Sequence, residues 1–214
     1  MLGLGFGAAG DTGIPKAVFE LDAGLSASYS GSGQTWANIV TAPADGSGQT
    51  AYDFYRGATN GSEGSDPTFN GSAGANSANE YFSFDGGDYL TLVGSNTTFL
   101  NSLHKENAVF TWYGFLRTPT STGNANLFGT NAQSSSNIGI HINISTGGTL
   151  QLLVASGGGA SLNITTPSSF FADNTNSFLA VSYNEALGAK RVTASFTLAR
   201  NDAGSASLYH LEEE

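Results

Sequence analysis

Few side chains in this 214-residue chain have the chemistry of an active site. Glu20 and Asp22 stand two apart in Ala17 to Asp22, a run whose alternation predicts a strand, so both carboxylates share one face. Retaining glycoside hydrolysis needs two carboxyl groups about 5 Å apart across a sugar ring. A lone pair of acids on the first strand reads more simply as surface charge. His141 is a better candidate, because Asn137 to Ser145 alternates strictly: Ile138, Ile140, Ile142 and Ile144 face one way, and Asn137, Gly139, His141 and Asn143 the other. Imidazole and amide groups hydrogen-bond sugar hydroxyls, usually beside an aromatic platform, for which Trp36 and Trp112 are the candidates. The solvated face of a half-buried strand accounts for the same residues. On that register a charge at Ile140 should prevent folding and one at His141 should be tolerated.

The remaining motifs are incomplete. There is no G-x-S-x-G elbow and no cysteine, so nucleophilic catalysis has no obvious carrier and Cys-based zinc sites and disulfides are excluded. Gly5 to Gly10 matches G-x-G-x-x-G, yet no strand precedes it and Pro15 falls where a helix should run. Asp85 to Asp88 and Asp173 to Asn176 are oxygen-rich, but Asx turns explain both without a calcium loop. The reading is therefore no catalytic residue, no metal and no cofactor.

These residues must be positioned by strands. Only 11% of the chain is charged while 39% is apolar, so Ser, Thr, Asn, Gln and the 29 glycines make the polar surface. Such residues favour turns and strands over helix interiors. A net charge of −10 with seven Lys and Arg disfavours nucleic acid and anionic membrane surfaces. No apolar run approaches the ~20 residues that span a bilayer, and the first residues lack the basic start of a secretory signal.

Along the chain, residues 1–16 read as an extended glycine-rich arm. Ordering it costs much backbone entropy, so burial of Leu2, Leu4 and Phe6 against a neighbouring chain is the expected anchor. Residues 17–210 read as one domain, with 41–80 a long Gly/Ser/Asn-rich cover loop inside a loop-like stretch from Ala23 to Asn79. Trp36, Ile39, Tyr52, Phe54, Tyr55 and Phe69 should pin that stretch down. Tyr81 to Phe84 and Tyr89 to Leu92 flank Asp85-Gly86-Gly87-Asp88 and predict a hairpin. A short helix is expected within 95–107 and a strand at Ala108 to Arg117, apolar on both faces. Further strands follow at Asn126 to Thr130, Asn137 to Ser145, Thr149 to Val154, Ser161 to Thr165, Phe178 to Asn184 and Arg191 to Leu198. Residues 211–214 form an acidic end. The class is all-β, an antiparallel β-sandwich or barrel.

The order of these motifs resembles the concanavalin A-like (laminin G-like) lectin/glucanase jelly-roll superfamily, in the divergent form found in bacteriophage virion structural proteins. The residues that carry the resemblance are Leu21 to Gly24, Ser28 to Gly31, Thr35-Trp36, Asn38, Pro67 to Asn70, Tyr81 to Gly86 and Asp88 to Leu90, then Phe110 to Phe115, Leu127 to Gly129 and Leu179 to Tyr183. It implies a jelly-roll sandwich over roughly residues 17–200. Glycosidases of this fold resemble one another in a Glu-x-Asp-x-x-Glu strand; here Leu25 stands where the third acid belongs. The sequence also departs from the family in Ser177-Phe178, and in having no recognisable final strand.

The functional expectation is a non-enzymatic phage virion component: a capsid decoration, spike or tail-fibre protein anchored by its arm to other virion proteins and copies of itself. Its place would be the virion, assembled in the host cytoplasm and exposed outside the cell. The alternative is a carbohydrate-binding module using His141, Asn143, Asn137 and Trp36; a glycoside hydrolase is the third reading.

Overall fold

The computed structural model describes residues 5–8, 16–77, 79–94, 108–118, 124–130, 138–145, 147–156, 160–184, 194–200 and 206–211. The protein is all-β, built of antiparallel sheets, and a single 3-10 turn at Gln49–Tyr52 is its only helix among these residues. The helix expected within 95–107, with His104, lies outside the described residues, as do Leu2, Leu4 and Asn137. The chain gathers into two compact units: Met1–Phe99 with Thr111–Phe115, and Leu100–Phe110 with Leu116–Glu214.

The first unit contains β1 (Gly5–Ala8), β2 (Lys16–Ala17), β3 (Thr35–Trp36), β4 (Phe54–Arg56), β5 (Thr68–Asn70), β6 (Tyr81–Ser83), β7 (Leu90–Leu92) and the middle of β8 (Val109–Arg117). The supposed arm is part of a sheet here: β1 pairs with β8, Phe6 opposite Trp112, and with β2, Gly7 opposite Ala17. Pairing satisfies backbone groups that a free glycine-rich arm would leave to water. Ala17 to Asp22 forms only the two-residue β2. Val18, Phe19 and Leu21 are nonetheless buried, because they pack into the core without joining a ladder.

Residues 41–80 carry β4, β5 and the 3-10 turn. Of the expected pins, Trp36 and Tyr52 are core, and Ile39, Phe54, Tyr55 and Phe69 are half-buried. Trp36, Tyr29 and Tyr52 are fully buried, and the rings of Trp36 and Tyr29 lie 4.6 and 4.9 Å from that of Phe82. Arg56 clasps this cluster: Nη1 donates to Tyr29 Oη (2.8 Å) and Gly33 O (3.0 Å), and Nη2 to Pro67 O (2.7 Å).

The expected hairpin across Asp85 to Asp88 does not form. β6 pairs with β5, Phe82 opposite Phe69, whereas β7 pairs with β4, Leu92 opposite Phe54. The Asp-Gly-Gly-Asp segment turns on itself instead, Asp88 Oδ2 accepting from Asp85 N (3.0 Å) and Asp85 Oδ1 from Gly87 N (2.8 Å). The turn forms as its aspartates and glycines dictate. Its flanking strands take other partners, because aromatic burial selects β4 and β5.

The second unit holds the ends of β8, then β9 (Ala125–Gly129), β10 (Ile138–Ser145), β11 (Thr149–Ser156), β12 (Ala160–Thr165), β13 (Asn176–Asn184), β14 (Ala194–Arg200) and β15 (Ala206–Leu211). β9 to β12 form a four-stranded meander in the order β12-β11-β10-β9, and β13 to β15 pair successively. A last strand does exist: β15 pairs with β14 along its whole length, ending at Leu211, so the acidic end begins just beyond it. Gly148 makes the β10–β11 turn possible. Its φ is +70°, and an added Cβ would lie 2.4 Å from Phe171 O, so no other residue fits without strain.

Register explains the meander's two faces. Ile140, Ile142 and Ile144 oppose Val154, Leu152 and Leu150, and Ile164 opposes Leu152 from the other side; all are buried. The next residues along each strand, His141, Asn143 and Ser145, oppose Leu153, Gln151 and Thr149, with Asn163 beside Leu153. The isoleucine register is as expected. The opposite face is not simply solvated, however: His141 is 4% and Asn143 3% exposed, so β10 is buried on both sides.

Candidate functional site: the polar face of the β9–β12 sheet

Cross-strand pairing assembles this face from four strands. β10 contributes His141, Asn143 and Ser145; β11 Gln151 and Leu153; β12 Asn163; β9 Asn126, directly opposite Asn143. A bulge between Ile142 and Asn143 in the β9 pairing puts Asn126 there. Together with Asn124, these residues other than Asn126 line an open depression of about 310 Å³.

The side chains are partly tied to one another. His141 Nε2 lies 2.7 Å from Asn126 Oδ1. Gln151 Nε2 donates to Asn163 Oδ1 at 2.9 Å, and the Ser145 and Thr149 hydroxyls bond at the turn. Burial pushes the His141 imidazole below its ordinary value of 6.5, so it is neutral at pH 7. Asn143 Oδ1 is different: it is cut off from water and has no hydrogen-bond partner. A buried amide acceptor without a donor costs about 1–3 kcal/mol.

Among the described lining residues none is Asp, Glu, Lys or Arg, and His141 is the one titratable side chain. The face can therefore orient a neutral polar ligand by hydrogen bonds. Among the described residues no group of three or more His, Asp or Glu side chains could hold a metal ion.

Of the residues singled out from sequence, the structure brings His141 and Asn143 together on this face, with Asn137 outside the described residues. Trp36 does not join them. It is 0% exposed in the core of the first unit, so it offers no stacking surface. Trp112, at 2%, is core as well. The large exposed aromatics among the described residues are Tyr81, Phe84, Tyr89 and Phe115, which the sequence places in strands and not in a site. Glu20 and Asp22 do not form a catalytic pair: Asp22 is buried and its Oδ1 accepts from Gly24 N at 2.8 Å, capping a turn. Asn124, Asn126, Gln151, Leu153 and Asn163 lie on other segments than His141 and Asn143, and Ser145 closes the same strand, so a single strand face does not reveal the set. Their signal was present in the alternation of β11 and β12, Gln151 with Leu153 and Asn163 with Thr165. Set against protein-family models, curated proteins and solved structures, the chain matches none.

Proposed function

We propose that this chain is a non-enzymatic structural component of a bacteriophage virion, a capsid decoration, spike or tail-fibre protein, displaying a lectin-like domain of jelly-roll sandwich type. The observation that carries the reading is the motif order running from Leu21 to Tyr183, set in an all-β chain of low charge. Its partners are other virion proteins and copies of itself. The test is direct. Antibody against this chain should label particles released from the host that encodes it. Purified particles that lack the chain would remove this reading.

A second reading is favoured by the uncharged polar face around His141 and Asn143: the displayed domain binds host-surface or environmental polysaccharide. Amides, imidazole and hydroxyls clustered around Leu153 are the groups that recognise sugar hydroxyls and the C–H face of a sugar ring. Retention of the pure protein on insoluble polysaccharide, released by soluble oligosaccharide, tests it. Absence of retention across neutral and acidic polymers would leave the structural role alone.

A further inference from the structure

We propose that the depression on the β9–β12 sheet binds a neutral saccharide donor-first, through ligand hydroxyls given to Asn143 Oδ1, His141 Nδ1 and Gln151 Oε1. This deepens the polysaccharide reading above and rests on it. Three steps lead from the side chains to the ligand's chemistry.

The first step is the tautomer of His141. Asn126 Oδ1 only accepts, so the ring proton sits on Nε2, 2.7 Å away, and Nδ1 is left as a bare acceptor. The second is Gln151, whose Nε2 donates to Asn163 Oδ1 and leaves its own carbonyl oxygen to accept. The third is Asn143, 3% exposed among the lining residues, with Oδ1 unpartnered. That oxygen is out of reach of water as it stands, so a turn of the amide about χ2 is what presents it to the groove, where a ligand hydroxyl satisfies it. The three groups all lack hydrogens to give at these atoms, so the ligand must supply them.

The same inventory defines what is refused. A carboxylate or phosphate is disfavoured, because among the described lining residues no Lys, Arg or charged imidazole meets its charge. A hexose brings several hydroxyl donors and an apolar C–H face, for which Leu153 lies between His141 and Asn163 in the register. About 310 Å³ is at the small end for ligand sites, the size of one or two sugar rings.

The test uses the full chain. Hexaoses of glucose, galactose and mannose, and oligogalacturonate of the same length, are titrated calorimetrically into wild type, Asn143→Leu and Gln151→Leu. At least one neutral hexaose should bind, and at least tenfold more tightly than oligogalacturonate, whose carboxylates meet no countercharge in the groove. Asn143→Leu, similar in volume but without an acceptor, should weaken binding tenfold or more while raising the urea midpoint. Gln151 is half-exposed, so Gln151→Leu keeps the question open to decision if Asn143→Leu does not fold, and it too should weaken binding. Failure of every neutral hexaose to bind wild type would remove the saccharide reading and this site with it. Neutral binding untouched by the folded variants would overturn the site while sparing the reading. Oligogalacturonate binding as tightly as the neutral sugars would overturn the preference for a neutral ligand.

Discussion

His141 Nε2 and Asn126 Oδ1, 2.7 Å apart, tie β10 to β9 and settle the state of the ring. The amide oxygen has no hydrogen to give, so the imidazole must donate from Nε2. Burial opposes its second proton, because charging the ring in this setting forfeits hydration.

The pH dependence follows in sign. The folded-state pKa of His141 lies below 6.5, its ordinary value, which the unfolded chain retains. Between the two values the unfolded state binds more protons, so stability falls as pH drops below about 6.5 and levels off beneath the folded pKa. Urea unfolding at pH 7.5 and 5.0 should show a larger loss for wild type than for His141→Gln. Equal losses would mean that His141 is not held neutral.

Burial of both faces of β10 changes what substitution does there. Ile140→Asp and His141→Asp should both prevent stable folding, since each places a carboxylate at a buried position. On a half-buried strand only the first would. Ile142→Ala, at a fully buried position, should cost about 3 kcal/mol by chemical denaturation. A well-folded His141→Asp protein would show that the polar face opens more than its burial indicates.

Gly71 and Glu80 hold the 71–80 loop. Gly71 has φ +95°, and a Cβ there would meet Asn79 O at 2.6 Å and Glu80 Oε1 at 2.8 Å. Gly71→Ala should therefore lower stability by about 2 kcal/mol, measured from the urea midpoint. Glu80, 2% exposed, accepts from Ser77 N at 2.5 Å and Ser72 N at 3.3 Å, bonds that hold its carboxyl below the ordinary 4.5. Its contribution is present above about pH 4.5 and is lost on acidification through the folded value, so Glu80→Gln should flatten the acid limb of the stability curve.

Arg56 cannot be exchanged for lysine. Its planar fork reaches Tyr29 Oη, Gly33 O and Pro67 O at once, and its guanidinium carbon sits 5.7 Å from the ring centres of Tyr29 and Phe82. Lysine keeps the charge and loses the fork. Arg56→Lys should cost about 2 kcal/mol, given that hydrogen bonds to charged groups are the stronger kind. A thermal melt within a degree of wild type would reduce the clasp to a surface contact.

Incubation with β-glucan or agarose should release no reducing sugar, and Glu20→Gln should leave that result unchanged. Glu20's charge does help to hold the Tyr113 phenol above its ordinary 10, after burial. The substitution should therefore shift Tyr113's ultraviolet titration downward even though catalysis is unaffected. Sugar release abolished by Glu20→Gln would reinstate the hydrolase reading.

The strand content and the register of β10 follow from sequence because side-chain alternation is a local property: Ile140, Ile142 and Ile144 must share one face of any strand that contains them. Turn residues are local too, and Asp85 to Asp88 turns where its glycines and aspartates indicate. Which strand pairs with which is not local. Tyr81–Ser83 and Leu90–Leu92 are close enough in sequence to form a hairpin, yet Phe82 buries against Phe69 and Trp36 while Leu92 pairs with Phe54. The free energy of that aromatic cluster depends on rings from four separate segments, and no window of sequence contains it. The candidate site divides in the same way. His141 and Asn143 were visible as neighbours on one strand face. Asn126, Gln151 and Asn163 became their companions only when β9, β11 and β12 were hydrogen-bonded in register, and only that assembly buried Asn143 and left its oxygen without a partner. Trp36 was drawn the other way for the same reason: an indole in a glycine-rich stretch is exposed or buried according to what the rest of the chain brings to it, and here the chain brought Phe82.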